Sequence, residues 1–332
     1  MRPTRLGLTL GDPAGIGPEI ILRWLATPYG RGQIIPVIYG NAVLLQRVAH
    51  ALGLPWPADL IIQPAAAGVP DTDAPVLLDF PFPAAATVTP GRVQAACGQM
   101  AATWIEAATR DALAGRMAGM VTGPISKEAT HLAGVPYPGH TEMLAALTGA
   151  PRSTMLFWSP DLIVSLATIH VALQQVPTVL TSARLLDTIR HTAAACARFG
   201  RAGQPIAVLA LNPHAGEHGL FGDEEARLIL PAMAAAQAEG IAMIGPLVPD
   251  TAFLAERRAN VAAYIAMYHD QGLIPFKMLA FAEGVNVTLG LPIVRTSPDH
   301  GTAFDIAWQG RADSSSFAAA VRCAALLAER SL

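Results

Sequence analysis

Three histidines stand where apolar runs end. His170 closes Ala167-Thr168-Ile169-His170, His214 closes Leu211-Asn212-Pro213-His214, and His269 lies in Met267-Tyr268-His269-Asp270. Each run reads as a strand, and open α/β sheets place their ligands beyond the carboxyl ends of strands. A lone histidine in an apolar run is ordinarily a satisfied core residue. Three at such exits argue instead for one divalent cation held by imidazoles, with a coordination position left open for substrate. His218 and His300 compete for the same role. Asp250, after Gly245-Pro246-Leu247-Val248-Pro249, also sits at a strand exit, where it can orient a ligand histidine or carry a proton.

A second set of residues suits an anion. Lys277, Asn286 and Arg295 are polar positions inside apolar segments. In a chain with few charges, cations so placed suggest a phosphate or carboxylate ligand, the plainer alternative being internal salt bridges. Pro138-Gly139-His140-Thr141-Glu142 opens a helix, with Thr141 a candidate cap and the free N–H groups an attractive seat for negative charge. Lys127 ends the strand-to-loop exit Thr122-Gly123-Pro124-Ile125-Ser126-Lys127 and is a candidate electrophile or proton carrier. Gly11-Asp12-Pro13-Ala14-Gly15-Ile16-Gly17-Pro18-Glu19 joins a strand to a helix. It lacks the Gly-x-Gly-x-x-Gly spacing of a dinucleotide fingerprint, so it serves equally as a tight turn or a ligand approach.

The elements that must position these residues alternate along the chain. Strand-like runs at 6–10, 34–39, 117–121, 155–158, 162–169, 206–211, 261–267 and 285–289 are interleaved with helix-like runs at 93–114, 183–198, 224–239, 273–280 and 315–329. That alternation predicts α/β layers around a largely parallel sheet. Residues 55–90, rich in proline and alanine, read as an irregular excursion or a short added hairpin. The 332 residues are 52% hydrophobic but only 14% charged, and mean hydropathy is +0.39. No apolar stretch reaches the ~18 residues of a spanning helix, and the apolar run near the start is too short for a secretory signal, so a cytoplasmic protein is expected. Net charge is −3 with no basic block, which disfavours a nucleic-acid partner. The three cysteines, Cys97, Cys196 and Cys323, are far apart and read as small buried residues.

The segments GDPAGIGPEI, VTGPISK, GHTEML, NPHAGE, YHDQGLIPFK and GVNVTLGLPIVRTSPDHGTAFDIA together resemble the 4-hydroxythreonine-4-phosphate dehydrogenase family of pyridoxal phosphate biosynthesis, across essentially the whole chain. The last segment is also similar to the His-Gly-Ser-Ala-Pro-Asp-Ile-Ala-Gly loop that holds the adenosine end of the cofactor in isocitrate and isopropylmalate dehydrogenases. The resemblance implies the isocitrate/isopropylmalate dehydrogenase-like fold: two α/β domains with a cleft between them. The expected boundaries are 1–132 plus 270–332 for an outer domain with the cofactor loop, and 133–269 for a central one with the metal histidines and dimer contacts. It implies metal ligation by His170, His214 and His269, and substrate contacts from His140, Thr141, Lys277, Asn286 and Arg295. It implies cofactor contacts from His300, Gly301, Thr302 and Asp305. The base for the reaction is left open among Lys127, Asp250 and a metal-bound water, the first two being the candidate catalytic side chains. The cofactors implied are NAD or NADP and one divalent cation per site (zinc, magnesium or cobalt). The partner implied is a second copy of the chain, completing the metal site across a homodimer interface. The implied reaction oxidises 4-phosphooxy-L-threonine to a 3-keto acid that loses CO2 to give 3-amino-2-oxopropyl phosphate. A phosphorylated sugar acid such as 4-phospho-threonate or 4-phospho-erythronate, or a cis-diol carboxylate, is the alternative substrate. Ala307-Trp308-Gln309-Gly310 departs from the family's Ala-Gly-Lys-Gly, which leaves the choice between NAD and NADP open.

Overall fold

Buried apolar runs bounded by glycine, proline and asparagine set the frame. Leu6 and Leu8 of the first strand and Val37, Ile38 and Tyr39 of the second are fully buried, as a parallel sheet covered on both faces requires. The structure, a computed structural model, describes residues 3–28 and 33–329. In chain order, β1 (Thr4–Thr9), α1 (Gly17–Leu25), β2 (Ile34–Gly40), α2 (Ala42–Leu52), β3 (Ile61–Pro64), β4 (Val76–Asp79), α3 (Ala95–Leu113), β5 (Gly119–Thr122), α4 (Lys127–Leu132) and α5 (His140–Thr148) come first. Next are β6 (Thr154–Trp158), β7 (Ile163–Leu166), α6 (Val176–Val179), α7 (Ser182–Arg198), β8 (Ile206–Leu209), α8 (Leu230–Ala238), β9 (Met243–Leu247), α9 (Pro249–Ala252), α10 (Ala255–Arg258), β10 (Ala263–Ala266), α11 (His269–Ala280) and β11 (Val285–Leu289). β12 (Arg295–Pro298) and α12 (Ser315–Glu329) finish the fold.

The chain divides into two compact units, Met1–Pro151 with Leu291–Leu332, and Arg152–Gly290. These divisions fall later than the expected 132/133 and 269/270. Packing explains the difference: α5 lies on α3 in the first unit, whereas α11 packs on β7 and β10 and β11 pairs with β6 in the second.

In the first unit the strand order is β3-β4-β2-β1-β5-β12, and every pairing is parallel. The excursion at 55–90 therefore supplies two parallel strands, β4 paired on β2 and β3 at the edge, and not a hairpin. The connection between them, which includes a short helical turn at Ala65–Ala67, is long enough to return the chain in the same direction. Asn41 caps α2 through Leu44 N–H at 2.9 Å, and Pro18 sits in the first turn of α1, both as their sequence positions predict.

In the second unit the order is β11-β6-β7-β10-β8-β9. β6 runs antiparallel to both of its neighbours, β11 and β7, while β7, β10, β8 and β9 are parallel. Phe157, Val164, Leu166, Tyr264, Leu273 and Phe276 form its core, with the Phe157 and Phe276 rings 5.6 Å apart. Among the described residues no helix is long and apolar enough to cross a membrane.

The approach of α3 to α4 matters for the site because α4 begins with Lys127. It is permitted by Gly98, where a Cβ would lie 2.1 Å from the Ala129 carbonyl oxygen. Gly98→Ala is expected to force the two helices apart and cost about 1–3 kcal/mol. Urea denaturation should show a lower midpoint with an unchanged slope.

Candidate active site

In the first unit, the polar residues gather where β5 and β12 meet the start of α5. Arg295 opens β12, is only 3% exposed, and donates from Nε (3.2 Å) and Nη2 (2.7 Å) to the Thr122 hydroxyl at the end of β5. Burial pulls its pKa down to about 10, so it stays charged at neutral pH. His140 is the first residue of α5, and its Nε2 is buried with no hydrogen-bond partner. Burial first, then the positive charges of Arg295 and Lys127, hold its pKa well below the ordinary 6.5. The result is a neutral imidazole with an unpaired nitrogen beside a buried guanidinium. Helix α5 begins at its N-cap Gly139, which makes no side-chain cap bond. Thr141 is thus inside the first turn and is not the cap expected from sequence, and the first N–H groups of α5 are left for another acceptor.

Lys127 is exposed, and its Cε lies close to Gly139. Ser126 caps its helix through Ala129 N–H at 3.1 Å. The loop that carries Lys127 is tied to the glycine segment through Asp12. Asp12 N–H donates to the Pro124 carbonyl at 2.8 Å, and the fully buried carboxylate accepts from Ala14 N–H at 2.8 Å. Burial raises the Asp12 pKa to about 6, opposed by the backbone hydrogen bonds from Ala14 and Ser126. Neither Asp12 nor Thr122 was singled out from sequence. The signal available was a polar residue at the end of an apolar run, which occurs at many neutral positions too.

The 299–312 loop sits on the same glycine segment. Ile16 N–H donates to the Thr302 carbonyl at 3.0 Å, and a Cβ on Gly15 would lie 2.8 Å from that oxygen. Gly15 is therefore required by loop docking. Arg23 donates to the Gly310 carbonyl at 2.6 Å, and the fully buried Glu19 accepts from Ala312 N–H at 3.2 Å. His300 Nε2 is buried without a partner, whereas Gly301 and Asp305 are exposed.

In the second unit, the three histidines follow three neighbouring parallel strands, His170 after β7, His269 after β10 and His214 after β8. Pairing continues past the first two strands, with Ala167 N–H on the Ala266 carbonyl (2.8 Å) and the Thr168 hydroxyl on the Met267 carbonyl (2.7 Å). This brings the His170 and His269 rings to 5.8 Å between centroids, beside a cavity of about 300 Å³ lined by Ile169, Leu173, Val176 and Tyr268. Gln271, which sequence reasoning also missed, ties two exits together: it accepts from Met267 N–H and donates to the Ala210 carbonyl, both at 2.7 Å.

His214 stands apart from that pair. Its ring neighbours Phe221 at 6.3 Å, and among the described residues no three His, Cys, Asp or Glu side chains are grouped closely enough to hold a metal. His214, Ala215, Glu217 and His218 all have positive φ, in a left-handed turn anchored by Glu225. That carboxylate accepts from Leu211 and Asn212 N–H, both at 2.8 Å. Burial alone would raise its pKa, but the hydrogen bonds from Asn212 and Leu211 hold it below the ordinary value.

The donor chemistry of the adjacent pair fits a borderline cation. The His269 Nδ1 contacts Asp270 Oδ1 at 2.6 Å, a pairing that fixes the ring and leaves Nε2 for a metal. Asp250 is exposed in the first turn of α9. Lys277 lies half-buried in α11, and Asn286, in β11, has a buried Oδ1 without a partner.

The depressed His140 pKa has a thermodynamic consequence. Below about pH 6.5 the unfolded chain binds a proton there that the native protein refuses, so stability falls as pH drops. Asp12 acts in the opposite sense, since the native state takes its proton first, from about pH 6 downward. His140→Gln is expected to remove up to about 1.4 kcal/mol of acid sensitivity per pH unit below pH ~6.5. Urea unfolding of both proteins at about pH 5 and about pH 7.5 would measure it.

Comparison with known proteins identifies the family and the fold. The family model for "Pyridoxal phosphate biosynthetic protein PdxA" matches residues 33–324. A 4-hydroxythreonine-4-phosphate dehydrogenase of Trichlorobacter lovleyi is 44% identical over 98% of this chain and 97% of its own. A D-threonate 4-phosphate dehydrogenase of Salmonella typhimurium is 42% identical over 99% of this chain and 100% of its own. The crystal structure of a 4-hydroxythreonine-4-phosphate dehydrogenase from Klebsiella pneumoniae superimposes with a TM-score of 0.87 at 42% identity, covering 98% and 99% of the two chains. At 13% identity and a TM-score of 0.50, a β-decarboxylating dehydrogenase of Thermococcus kodakarensis shares the fold alone, as the isocitrate/isopropylmalate dehydrogenase-like expectation requires. With a family model spanning most of its length and relatives this similar end to end, the chain belongs to the PdxA family of pyridoxal phosphate biosynthetic proteins.

Proposed function

We propose that the chain is a cytoplasmic oxidoreductase that takes 4-phosphooxy-L-threonine to its 3-keto acid, using NAD or NADP and a divalent cation. The keto acid then loses CO2 to give 3-amino-2-oxopropyl phosphate. The observation that carries the phosphorylated-substrate reading is the buried Arg295 guanidinium, held by Thr122 beside the neutral His140 at the start of α5. A desolvated cation next to free helix N–H groups suits a phosphate or carboxylate. In this reading Arg295, His140, Thr141, Lys277 and Asn286 hold the substrate. His140 contributes a neutral hydrogen-bonding nitrogen and adds no charge.

His170 and His269 hold the cation, which when bound lowers the pKa of the carbinol and favours loss of its proton. The third ligand is His214. Completion of the set at a homodimer interface accounts for the finding, among the described residues, of an adjacent pair of rings and no group of three metal-binding side chains. Exposed apolar residues in the second unit support such an interface: Leu220 and Phe221 follow the His214 turn, and Ile274, Met278 and Phe281 lie along and beyond α11. His300, Gly301, Thr302 and Asp305 hold the adenosine end of the cofactor, which accepts the hydride. Of the two candidate side chains, which compete with a metal-bound water for the proton, Lys127 stands beside the anion-binding residues and Asp250 is exposed on a separate helix. Lys127 is assigned the proton from the carbinol, and Asp250 is the alternative.

The name of the Salmonella relative favours a second substrate, D-threonate 4-phosphate, which has a hydroxyl in place of the amino group. Steady-state NAD(P)H formation with each compound decides between them. The proposal expects kcat/KM at least about tenfold higher for the amino acid, and the reverse ratio overturns it in favour of the threonate. His269→Ala is expected to lower bound metal and to reduce kcat/KM by at least about 100-fold. Elemental analysis beside the same assay checks both, and a fully active metal-free variant would remove the metal from the mechanism.

A further inference from the structure

Trp308 occupies a backbone position that suits glycine. Its φ is +57°, in the left-handed region that a bulky side chain rarely adopts, and Ala303 five residues earlier has φ +43°. Two strained residues thus bracket the second half of the 300–308 turn. Strain of this kind persists only where the surroundings over-determine it.

The surroundings of Trp308 do so by two directed contacts. Its indole N–H donates to the Pro13 carbonyl at 3.2 Å, in the glycine segment on which the turn is seated. The Arg47 guanidinium lies over its ring, 5.2 Å from the centroid, and is itself fixed by donating to the Ala85 carbonyl at 2.7 Å and the Val88 carbonyl at 3.1 Å. The ring is not core filling. It is half-buried and borders an open cavity of about 430 Å³ lined by Val43, Gln46, Arg47, His50 and Ala51.

We propose that Trp308 is a positioning residue that latches the His300–Asp305 turn onto the Pro13 carbonyl and Arg47, and so sets the affinity for the nicotinamide cofactor. The inference rests on the reading of that turn as the cofactor loop. A turn already held in its binding shape loses less conformational freedom when the ligand arrives, and that saving appears as affinity. Trp308 is not among the residues assigned to the substrate or to the cation. Its effect therefore falls on cofactor binding alone.

Trp308→Gly tests this, because glycine tolerates the backbone angle and removes only the ring. The expected result is a rise of about fivefold in the KM and calorimetric Kd for the preferred cofactor, the equivalent of one lost hydrogen bond. kcat and the KM for the phosphorylated substrate stay at native values, and the melting temperature falls by no more than a few degrees. Trp308→Phe keeps the ring over Arg47, loses the N–H, and should recover part of the affinity. Native cofactor affinity in Trp308→Gly overturns the latch and leaves the cofactor-loop reading standing. A parallel loss of kcat, both KM values and thermal stability also overturns it, by showing general structural damage. If the native protein binds neither NAD+ nor NADP+, the cofactor-loop reading falls and the latch with it.

Discussion

Parallel pairing of β10 between β7 and β8 is the constraint on which the second unit's chemistry depends. Parallel strands share a direction, so their carboxyl ends open on one edge of the sheet, and residues about a hundred positions apart become neighbours there. His170 and His269 are close because the ladder does not stop with the strands: Ala167 and Thr168 go on bonding to Ala266 and Met267. Gln271 then fixes the β10 exit to the β8 exit through its two amide contacts. Loss of this pairing would scatter the imidazoles, whatever their individual surroundings.

The first unit solves a different problem, the cost of keeping charge and polarity out of water. Arg295 and Asp12 are both buried, and each is shifted toward its neutral form. Arg295 nevertheless stays charged, since a pKa near 10 leaves a wide margin at neutral pH. Thr122 limits the penalty by accepting two of its N–H bonds, and in the dry surroundings the remaining field is less screened than it would be in water. Asp12 uses its hydrogen bonds differently, to join the glycine segment to the loop that leads to Lys127. Both residues are polar groups whose worth lies in where they hold other groups.

Backbone strain is concentrated in two loops, the turn of His214–His218 and the turn containing Ala303 and Trp308. Each is anchored by specific bonds, through Glu225 in the first case and through Pro13 and Arg47 in the second. Stored strain at ligand-facing loops is a recurrent pattern, since it holds shapes that unaided propensity would not select.

Much of this was legible in the residue order, and the reasons for success and failure are physical. The period of apolar residues is a local property, so β1, β2, α7 and α12 could be read directly, and α12 falls at its expected limits. Motif-bearing segments such as PGHTEM and PDHGTAF declare residue types that chemistry needs, and these place His140 and His300 in polar loops or helix starts. Strand direction is not local: the proline- and alanine-rich 55–90 excursion reads as irregular or as a short hairpin, yet its connection lets β3 and β4 run parallel. The cap lies two residues before Thr141, because Gly139 can adopt the cap geometry without a side chain. Trp308 shows its departure from the family in sequence, but not that Arg47 and Pro13 hold it. What the sequence determined was the set of elements and the inventory of chemically able side chains. Which of those side chains meet was decided only by tertiary structure, because strand order and the backbone angles of a few loop residues are fixed by contacts far apart along the chain.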